Sequence, residues 1–149
     1  MGLQQIRGRL VFVGQFVSIF AWLCTTGFGG TAVQLSEFVF DDAPSESCHA
    51  ATIAQLADGS LAAAWFAGRE EGSSDVGIWL SRKTDDRWSD PVEVANGMQP
   101  QAKPYPCWNP VLFQTESGPL MLFFKVGPSP QTWWGEVMFS TDNGKTWQQ

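Results

Sequence analysis

The sequence predicts an all-β fold built from repeated units of four antiparallel strands. Three features support this prediction: a segment, 48–90, that matches a later segment, 107–149; short apolar stretches separated by glycine turns; and no helical periodicity outside the segment 1–32. The composition agrees, with eight Trp, eleven Phe, fifteen Gly and nine Pro among 149 residues. Dense aromatic residues and frequent turn formers are typical of short strands joined by tight turns.

The N-terminal segment, 1–32, differs from the rest of the chain. Arg7 and Arg9 precede a nearly continuous apolar stretch, 10–23, and small residues follow as far as Ala32. This order is typical of a secretory signal peptide. We therefore expect cleavage after Ala32, a secreted or periplasmic protein, and no membrane association after cleavage. An uncleaved signal anchor is the alternative, which the shortness of the apolar stretch disfavours.

The charge balance of the predicted mature part argues against a nucleic-acid partner. The leader holds two of the nine basic residues and no acidic residue, which leaves seven Lys and Arg against fifteen Asp and Glu. Phosphate contacts need clustered positive charge, and no run of basic residues occurs. The single His and the cysteines follow no zinc-site spacing, so we expect neither a metal nor a cofactor.

The repeat aligns residues 48–90 with 107–149 without a gap. Identities fall mainly at turn glycines and at the ends of each unit, where a structural repeat is most constrained. The seven identical pairs are Cys48/Cys107, Gln55/Gln114, Gly59/Gly118, Leu61/Leu120, Gly68/Gly127, Ser81/Ser140 and Trp88/Trp147. Four antiparallel strands in a repeat of this length are typical of a β-propeller blade.

Each strand follows from local pattern. In the first unit a strand over 50–56 ends at the turn formed by Ala57, Asp58 and Gly59, and the nearly all-apolar stretch 60–66 predicts a strand buried on both faces. The remaining predicted strands are 76–82 and 91–95 in the first unit, and 110–115, 119–125 and 135–140 in the second.

These strands divide the chain into a signal peptide, 1–32, and a partial propeller domain, 33–149. The blades lie at about 48–95 and 107–149, and the fourth strand expected after Trp147 is absent from the sequence. Because two blades cannot close a ring, we expect the chain to be the N-terminal portion of a longer protein.

Residues 140–147 read Ser-Thr-Asp-Asn-Gly-Lys-Thr-Trp and fit the Asp-box pattern S-x-D-x-G-x-T-W. We expect Asp142 to accept backbone N–H bonds across the turn, Gly144 to adopt a positive φ and Trp147 to pack inward. The copy in the first unit keeps only Ser81 and Trp88.

The Asp-box and the spacing of the repeat resemble the sialidase superfamily, also called the BNR-repeat family, over roughly residues 45–149. The sialidase-like branch labelled "predicted neuraminidase" is the most similar. The resemblance implies a six-bladed ring in the full-length parent and a glycoside hydrolase that removes a terminal acidic sugar from a glycan or polysaccharide. The Tyr nucleophile of the family and its further arginines would lie in later blades.

The resemblance also places candidate catalytic residues. The family's first blade has an apolar strand that ends Glu-Gly-Arg, and residues 65–69 here read Trp-Phe-Ala-Gly-Arg, so Arg69 corresponds to a substrate-binding Arg. Asp75 lies close to the family's general acid, and Glu71 is a weaker catalytic candidate. The first arginine of the family's carboxylate-binding triad falls at His49. This imidazole is expected to donate to a substrate carboxylate or act as acid or base, without the bidentate grip of a guanidinium.

Four further residues are candidates for substrate binding. Trp108 and Asn109 occupy in the second blade the position of His49, and Trp108 is either a sugar-stacking residue or a core residue. Lys125 follows a buried strand and is either a ligand-binding or a surface lysine. Trp133 and Trp134 are adjacent, so they cannot both point inward, and we expect at least one, Trp134, to be available for binding.

Two questions stay open from the sequence. Cys48 and Cys107 start equivalent strands of neighbouring blades, which makes them a disulfide candidate, with two buried free thiols as the alternative. Two alternatives to a sialidase-like hydrolase also remain open. One is a lyase that uses His49 in β-elimination on uronates, and the other is a non-catalytic propeller that binds glycan or protein.

Overall fold

The computed structural model describes residues 35–100 and 102–149, so the predicted signal peptide lies outside the described residues. As the sequence predicts, this part of the chain is all-β, with two antiparallel sheets. The strands are β1 (Ser47–Gln55), β2 (Leu61–Gly68), β3 (Gly77–Thr84), β4 (Arg87–Trp88), β5 (Val92–Ala95), β6 (Cys107–Gln114), β7 (Leu120–Val126) and β8 (Trp134–Ser140). Among the described residues, no helix is long and apolar enough to cross a membrane.

Strands β1 to β5 form the first sheet, here called blade 1. Its order is β1-β2-β3-β4, and β5 also pairs with β3. Asp85 and Asp86 join β3 to β4 with φ of 50° and 60°, the geometry of a type I′ hairpin turn. This tight turn replaces the Asp-box that the first unit has lost.

Strands β6, β7 and β8 form the second sheet, here called blade 2. Its predicted strands are all present, and an isolated bridge between Phe139 and Gln148 begins the pairing of a fourth strand with β8. The first strand of each blade begins earlier than its predicted start, because each continues beyond a β-bulge that the pattern of apolar residues does not reveal.

The two bulges fall at equivalent positions of the repeat. In β1 the register shifts between His49 and Thr52, and in β6 it shifts between Trp108 and Val111. Each bulge contains one residue with a positive φ. The angle is 50° at Ala50 in β1 and 46° at Asn109 in β6. Positive φ is common for Asn but strained for Ala, so the backbone at Ala50 is held by its surroundings.

A shared hydrophobic core holds the two blades together. The face of blade 1 that lies against blade 2 is called its front face, and it is small in the middle, with Ala62 and Ala64 fully buried. The face of blade 2 that packs on it is called its back face. It carries the larger side chains of Leu112, Leu120, Leu122, Phe124 and Val126. Large side chains therefore fill the space that the alanines leave.

The back face of blade 1 has a different cover. Ala63, Trp65 and Ala67 form a second buried cluster, and the segment 37–40, here called the strap, lies on it. Phe40 of the strap packs on Trp65 with 5.1 Å between ring centroids. Glu37 accepts hydrogen bonds from the Lys83 ammonium and, at 3.0 Å, from the Trp88 indole.

The Asp-box forms the turn that the sequence predicts. The Asp142 carboxylate accepts bonds from the backbone N–H groups of Lys145 at 3.1 Å and Thr146 at 2.9 Å, and from the Thr146 hydroxyl at 2.6 Å. Ser140 donates its hydroxyl to the same carboxylate and accepts the N–H of Gly144, which has φ of 78°. Trp147 packs against the shared core.

These hydrogen bonds make the stability of the Asp-box depend on pH. Bonds from Thr146 and Ser140 hold the pKa of Asp142 well below its ordinary value of 3.8. A lowered folded-state pKa contributes stability above the unfolded pKa, and this contribution is lost as pH falls toward the folded pKa.

We predict that Asp142→Asn is less stable than the wild type at neutral pH and that the difference shrinks as pH falls below about 4. The free energy of unfolding, measured by denaturant titration at several pH values, checks this. Asp41→Asn, at an exposed position outside the Asp-box, is the control. If the difference in unfolding free energy stayed constant across the acidic range, the negative charge of Asp142 would not be what stabilises the Asp-box.

Candidate functional site

The candidate residues lie along one edge of the two blades. At this edge β2 and β7 end, while β1, β3, β6 and β8 begin, as the register pairs Cys48 with Ala67 and Trp108 with Lys125 show. We call it the Arg69 edge. It carries every candidate from the sequence: His49, Arg69, Glu71, Asp75, Trp108, Asn109, Lys125 and Trp134.

The loop after β2 contains an ion pair between two candidate residues. It is the only such pair in the part of the chain that the structure describes. The Asp75 carboxylate accepts the backbone N–H of Arg69 at 3.3 Å, and its Oδ2 lies 3.7 Å from Arg69 Nε. The two side chains are 67% and 48% exposed, so the pair is open to solvent and to a ligand. Such an exposed pair contributes little to stability, which leaves Arg69 free to exchange its partner.

The environment of Asp75 keeps it ionised in the free chain. Burial raises the pKa of Asp75, but the backbone N–H groups of Asp75 and Arg69 and the charge of Arg69 lower it by more. The net result is a pKa below the ordinary 3.8. A general acid must carry a proton at the working pH, so Asp75 is a carboxylate acceptor until its surroundings change.

A row of aromatic rings lies beneath this edge and crosses both blades. His49 stacks on Phe66 with 5.3 Å between centroids, Phe66 packs on Trp108 at 5.8 Å, and Trp108 packs on Trp133 at 4.9 Å. The loop of Arg69 closes over the row, since a Cβ on Gly72 would lie 3.5 Å from the Trp108 ring. The row therefore supports the Arg69 loop from below.

The structure decides between the two interpretations of Trp108. Its side chain is 8% exposed, and its indole N–H donates to the Gly127 carbonyl at 2.8 Å. Both its rings and its polar atom are thus engaged, which makes it a core residue and leaves no free face for a sugar. Trp133 is its partner in the row, and the exposed member of the adjacent pair is Trp134, at 37%.

The remaining candidates present polar groups at the edge. Asn109 is exposed at the bulge, and Lys125 is exposed opposite Trp108. The indole N–H of Trp134 donates to Glu136 at 2.5 Å, and the ring meets Tyr105 edge to face. His49 bonds to the Ser47 hydroxyl at 2.7 Å, while Glu71 is exposed in the loop.

The structure does not gather all these residues around one cavity. Asp75 lines an open cavity of about 240 Å³ together with Glu93, Asn96 and Met98. His49 lines another, of about 200 Å³, whose floor is Ala63 and Trp65. His49 and Asp75 therefore occupy separate parts of the edge, and within the described residues no cluster of His, Cys, Asp and Glu has the arrangement of a metal site.

The predicted disulfide is absent. Cys48 and Cys107 are both free; Cys48 is exposed, and Cys107 is fully buried. Cys48 pairs with Ala67 in blade 1, whereas Cys107 donates its N–H to the Val76 carbonyl at 3.0 Å and packs into the core between the blades. Burial, with the nearby charges of Glu93 and Glu136, raises the pKa of the Cys107 thiol to about 12.

Sequence reasoning missed two features of the edge. The strap of residues 37–40 carries no repeat signal, so its packing on Trp65 was not foreseen. The bulges also escaped, although Asn109 in a strand was a signal that could have suggested a positive φ. Both features position His49, because it sits between the bulge at Ala50 and the cavity beside the strap.

Comparison with known proteins supports the repeat. Residues 59–149, more than half of the chain, match the family described as BNR repeat-like domain. Among curated proteins, no sequence matches the chain.

Two solved structures resemble this one. A protein of unknown function from Dyadobacter fermentans is similar at a TM-score of 0.55 and 16% identity, over 75% of this chain and 38% of that one. A protein described as Hadza microbial sialidase Hz136 is similar at 0.41 and 19%, over 67% of this chain and 23% of that one. The first likeness supports the fold alone, and the chain spans well under half the length of either protein.

We predict that Trp108→Ala lowers the free energy of unfolding by about 3–5 kcal/mol, because it removes the centre of the aromatic row. The matched change, Trp134→Ala, removes a half-exposed ring and is expected to lower it by about 1 kcal/mol or less. Denaturant titration of both variants measures the difference. If both substitutions lowered the free energy of unfolding equally, Trp108 would not be a core residue.

We also predict that a maleimide labels Cys48 in the folded protein and leaves Cys107 unmodified until the chain unfolds. Exposure and a low thiol pKa govern this reaction, and Cys107 has neither. Peptide mapping by mass spectrometry locates the label on each cysteine separately. A peptide pair joined through Cys48 and Cys107 would instead restore the disulfide.

Proposed function

Because the chain belongs to the BNR repeat-like domain family, we propose that it forms part of an exported, sialidase-like, carbohydrate-active protein. The proposed reaction is hydrolytic removal of a terminal acidic sugar from a glycan or polysaccharide. The observation that carries the proposal is the solvent-open pair of Arg69 and Asp75 at the Arg69 edge, above the aromatic row.

In this proposal Arg69 binds the carboxylate of the sugar. A guanidinium presents a planar fork of N–H donors that matches a carboxylate, and the 67% exposure of Arg69 leaves this fork accessible. Lys125 and His49 are further donors, each exposed elsewhere along the same edge. Trp134 offers the exposed ring on which the face of a sugar packs.

Binding of the sugar carboxylate changes the state of Asp75. The incoming carboxylate competes with Asp75 for Arg69 and removes part of the charge that lowers the Asp75 pKa, while the bound sugar excludes water from it. Both effects raise the pKa of Asp75. A protonated Asp75 then donates to the glycosidic oxygen as the leaving group departs.

In this proposal the chain supplies Arg69, which binds the sugar carboxylate, and Asp75, which acts as the general acid. No residue of the chain is proposed as the nucleophile. Sialidases with a Tyr nucleophile depart from the usual scheme of two carboxylates. Glu71, exposed in the same loop, is the alternative acid if Asp75 remains ionised.

The second candidate is a non-catalytic propeller that binds an acidic glycan. It is favoured by the ionised state of Asp75 in the free chain and by an imidazole, His49, at the position where the resemblance expects a guanidinium. In this case Arg69 and Trp134 bind the sugar as proposed, and Asp75 only holds the loop. The lyase alternative differs in its product, an unsaturated uronate.

We predict that Arg69→Lys weakens binding of sialic acid or glucuronic acid several-fold or more, since lysine keeps the charge but loses the planar fork. Isothermal titration calorimetry with each sugar, and with neutral galactose as the reference ligand, measures the effect. Arg87→Lys, at an exposed arginine of β4 away from this edge, is the matched control. Equal binding of galactose and the acidic sugars would overturn the assigned carboxylate grip.

For catalysis by the full-length parent with its later blades, we predict that Asp75→Asn lowers the turnover of a fluorogenic sialoside without raising KM, because Asp75 no longer competes with the sugar carboxylate for Arg69. The same assay on Glu71→Gln tests the alternative acid. Binding by a wild-type full-length parent that turns over neither sialosides nor uronides would select the non-catalytic propeller. An unsaturated product from a uronate polymer would select the lyase.

A further inference from the structure

The open cavity beside Asp75, here called the Asp75 cavity, has a volume of about 240 Å³. Its lining residues are Ser74, Asp75, Val76, Glu93, Asn96, Met98 and Pro104. The walls are thus the loop after β2, strand β5 and the described residues of the linker 96–106 between the blades. All of them belong to blade 1 or to its connection with blade 2, so the front face of blade 2 contributes nothing to this cavity.

The Asp75 carboxylate borders both this cavity and the guanidinium of Arg69. Arg69 lies outside the lining of the cavity, and its Nε is 3.7 Å from Asp75 Oδ2. A general acid contacts the oxygen that joins the departing group to the sugar that is removed. With the removed sugar at Arg69, the Asp75 cavity is the space on the other side of the acid. Its volume equals that of about eight water molecules in the liquid, which is room for one sugar ring.

The polar groups of the lining mainly accept hydrogen bonds. Asp75 and Glu93 contribute carboxylates, and among the residues that the structure describes no lysine or arginine lines the cavity. Glu93 forms no ion pair within the same part of the chain. The side-chain oxygen of Asn96 accepts the backbone N–H of Met98 at 3.3 Å, so its amide nitrogen remains a donor. Such a lining binds hydroxyl and ammonium groups and repels a carboxylate.

The backbone of β3 makes room for the Glu93 carboxylate. A Cβ at Gly77 would lie 2.8 Å from Glu93 Oε1 and 3.0 Å from the carbonyl oxygen of Ala95. Only glycine at this position lets the carboxylate lie against the strand without a clash. The charge of Glu93 is therefore held beside β3, at the wall of the cavity.

We propose that the Asp75 cavity binds the leaving-group sugar of the proposed reaction and selects a neutral or amino sugar there, with Glu93 as the specificity-determining residue. This inference rests on the proposed function and narrows its substrate to a terminal acidic sugar linked to a neutral or amino sugar. A second acidic sugar in the cavity would bring its carboxylate beside Glu93, and this repulsion discriminates against it. Chains made only of acidic sugars are therefore poor substrates.

Nuclear magnetic resonance of the isotope-labelled full chain tests the cavity directly. The backbone amides of Glu93, Asn96 and Met98 report on the cavity, and those of Arg69 and Glu70 report on the guanidinium. The probes are the methyl glycosides of galactose, galactosamine and galacturonic acid, which share one ring and differ in charge. We expect the amino sugar to bind the cavity about threefold or more tightly than the acidic sugar at low salt. The difference is expected to narrow as salt is added, because salt screens exposed charges.

Variants of Glu93 separate its charge from its size. Glu93→Gln keeps the size and removes the charge, so we expect it to narrow the preference for the amino sugar, and Glu93→Lys to reverse it. Glu116→Gln is the matched control, because Glu116 is exposed in the turn between β6 and β7, at the end of the sheet opposite the Arg69 edge. It is expected to keep the wild-type preference. Equal unfolding midpoints in denaturant confirm that all variants are folded.

Linked sugars test whether the cavity and Arg69 hold two parts of one ligand. We expect methyl α-sialoside to shift only the amides of Arg69 and Glu70. Sialyl-galactoside is expected to shift these amides and those of the cavity together. A disialoside, which is acidic in both rings, is expected to shift the amides at Arg69 and to leave the cavity unoccupied.

The outcomes distinguish failure of this proposal from failure of the proposed function. Cavity amides that respond equally to the amino and acidic sugars, or to neither, would overturn the selectivity even if methyl α-sialoside shifts Arg69. A preference that Glu93→Gln leaves unchanged would exclude Glu93 as its determinant. A sialyl-galactoside that shifts only the amides at Arg69 would exclude the leaving-group role. If methyl α-sialoside shifted no amide at Arg69, the proposed function itself would be wrong, and the leaving-group role with it.

Discussion

The packing of large side chains of one sheet into the small side chains of the next is the constraint on which this structure depends. β2 is buried along nearly its whole length because it lies between blade 2 on one side and the strap on the other. Alanines at Ala62 and Ala64 let β6 and β7 approach closely enough for the backbone N–H of Leu112 to bond to Thr52 at 3.3 Å. That approach brings Trp108 to Phe66 and beneath the loop of Arg69.

The Asp-box and the candidate functional residues lie at opposite ends of the sheets. The Asp-box at the end of β8 lies beside the first hairpin of blade 1, where Asn143 donates its amide to Asp58 at 2.7 Å. The Arg69 edge instead collects exposed charges and the bulge residues with positive φ, Ala50 and Asn109. Bulges end regular pairing and redirect side chains, which is why such irregularities are often found next to functional sites. The hydrogen-bonded Asp-box turn thus lies at one end of the sheets, and the exposed candidate residues lie at the other.

The sequence was sufficient where local pattern and repeat agree, and insufficient where the structure depends on contacts distant in sequence. Turn glycines and alternating apolar residues located every main strand, and the Asp-box predicted the bonds of Asp142 correctly. Burial of Trp108 depends on Phe66 and Trp133, which lie in other parts of the chain, so its sequence position left both interpretations open. The cysteine prediction was wrong because equivalent positions in two blades need not face each other: Cys48 is exposed, whereas Cys107 faces the core.

An acidic chain that binds an acidic sugar must do so through local charge, because its long-range field repels the ligand. The composition gives a formal net charge of −6 at neutral pH, and screening limits this repulsion to distances of about 10 Å or less at physiological salt. Within that range the pairing of Arg69 with Asp75 matters most. An intramolecular carboxylate lies 3.7 Å from Arg69 Nε in the free state, so the sugar carboxylate competes with an anion already beside the guanidinium. Such an exchange contributes modest affinity, but it couples occupancy of Arg69 to the protonation of Asp75. In the proposed function, the contact between Arg69 and Asp75 therefore limits the affinity for the sugar. Loss of the same contact on binding raises the pKa of Asp75, which lets it act as the acid.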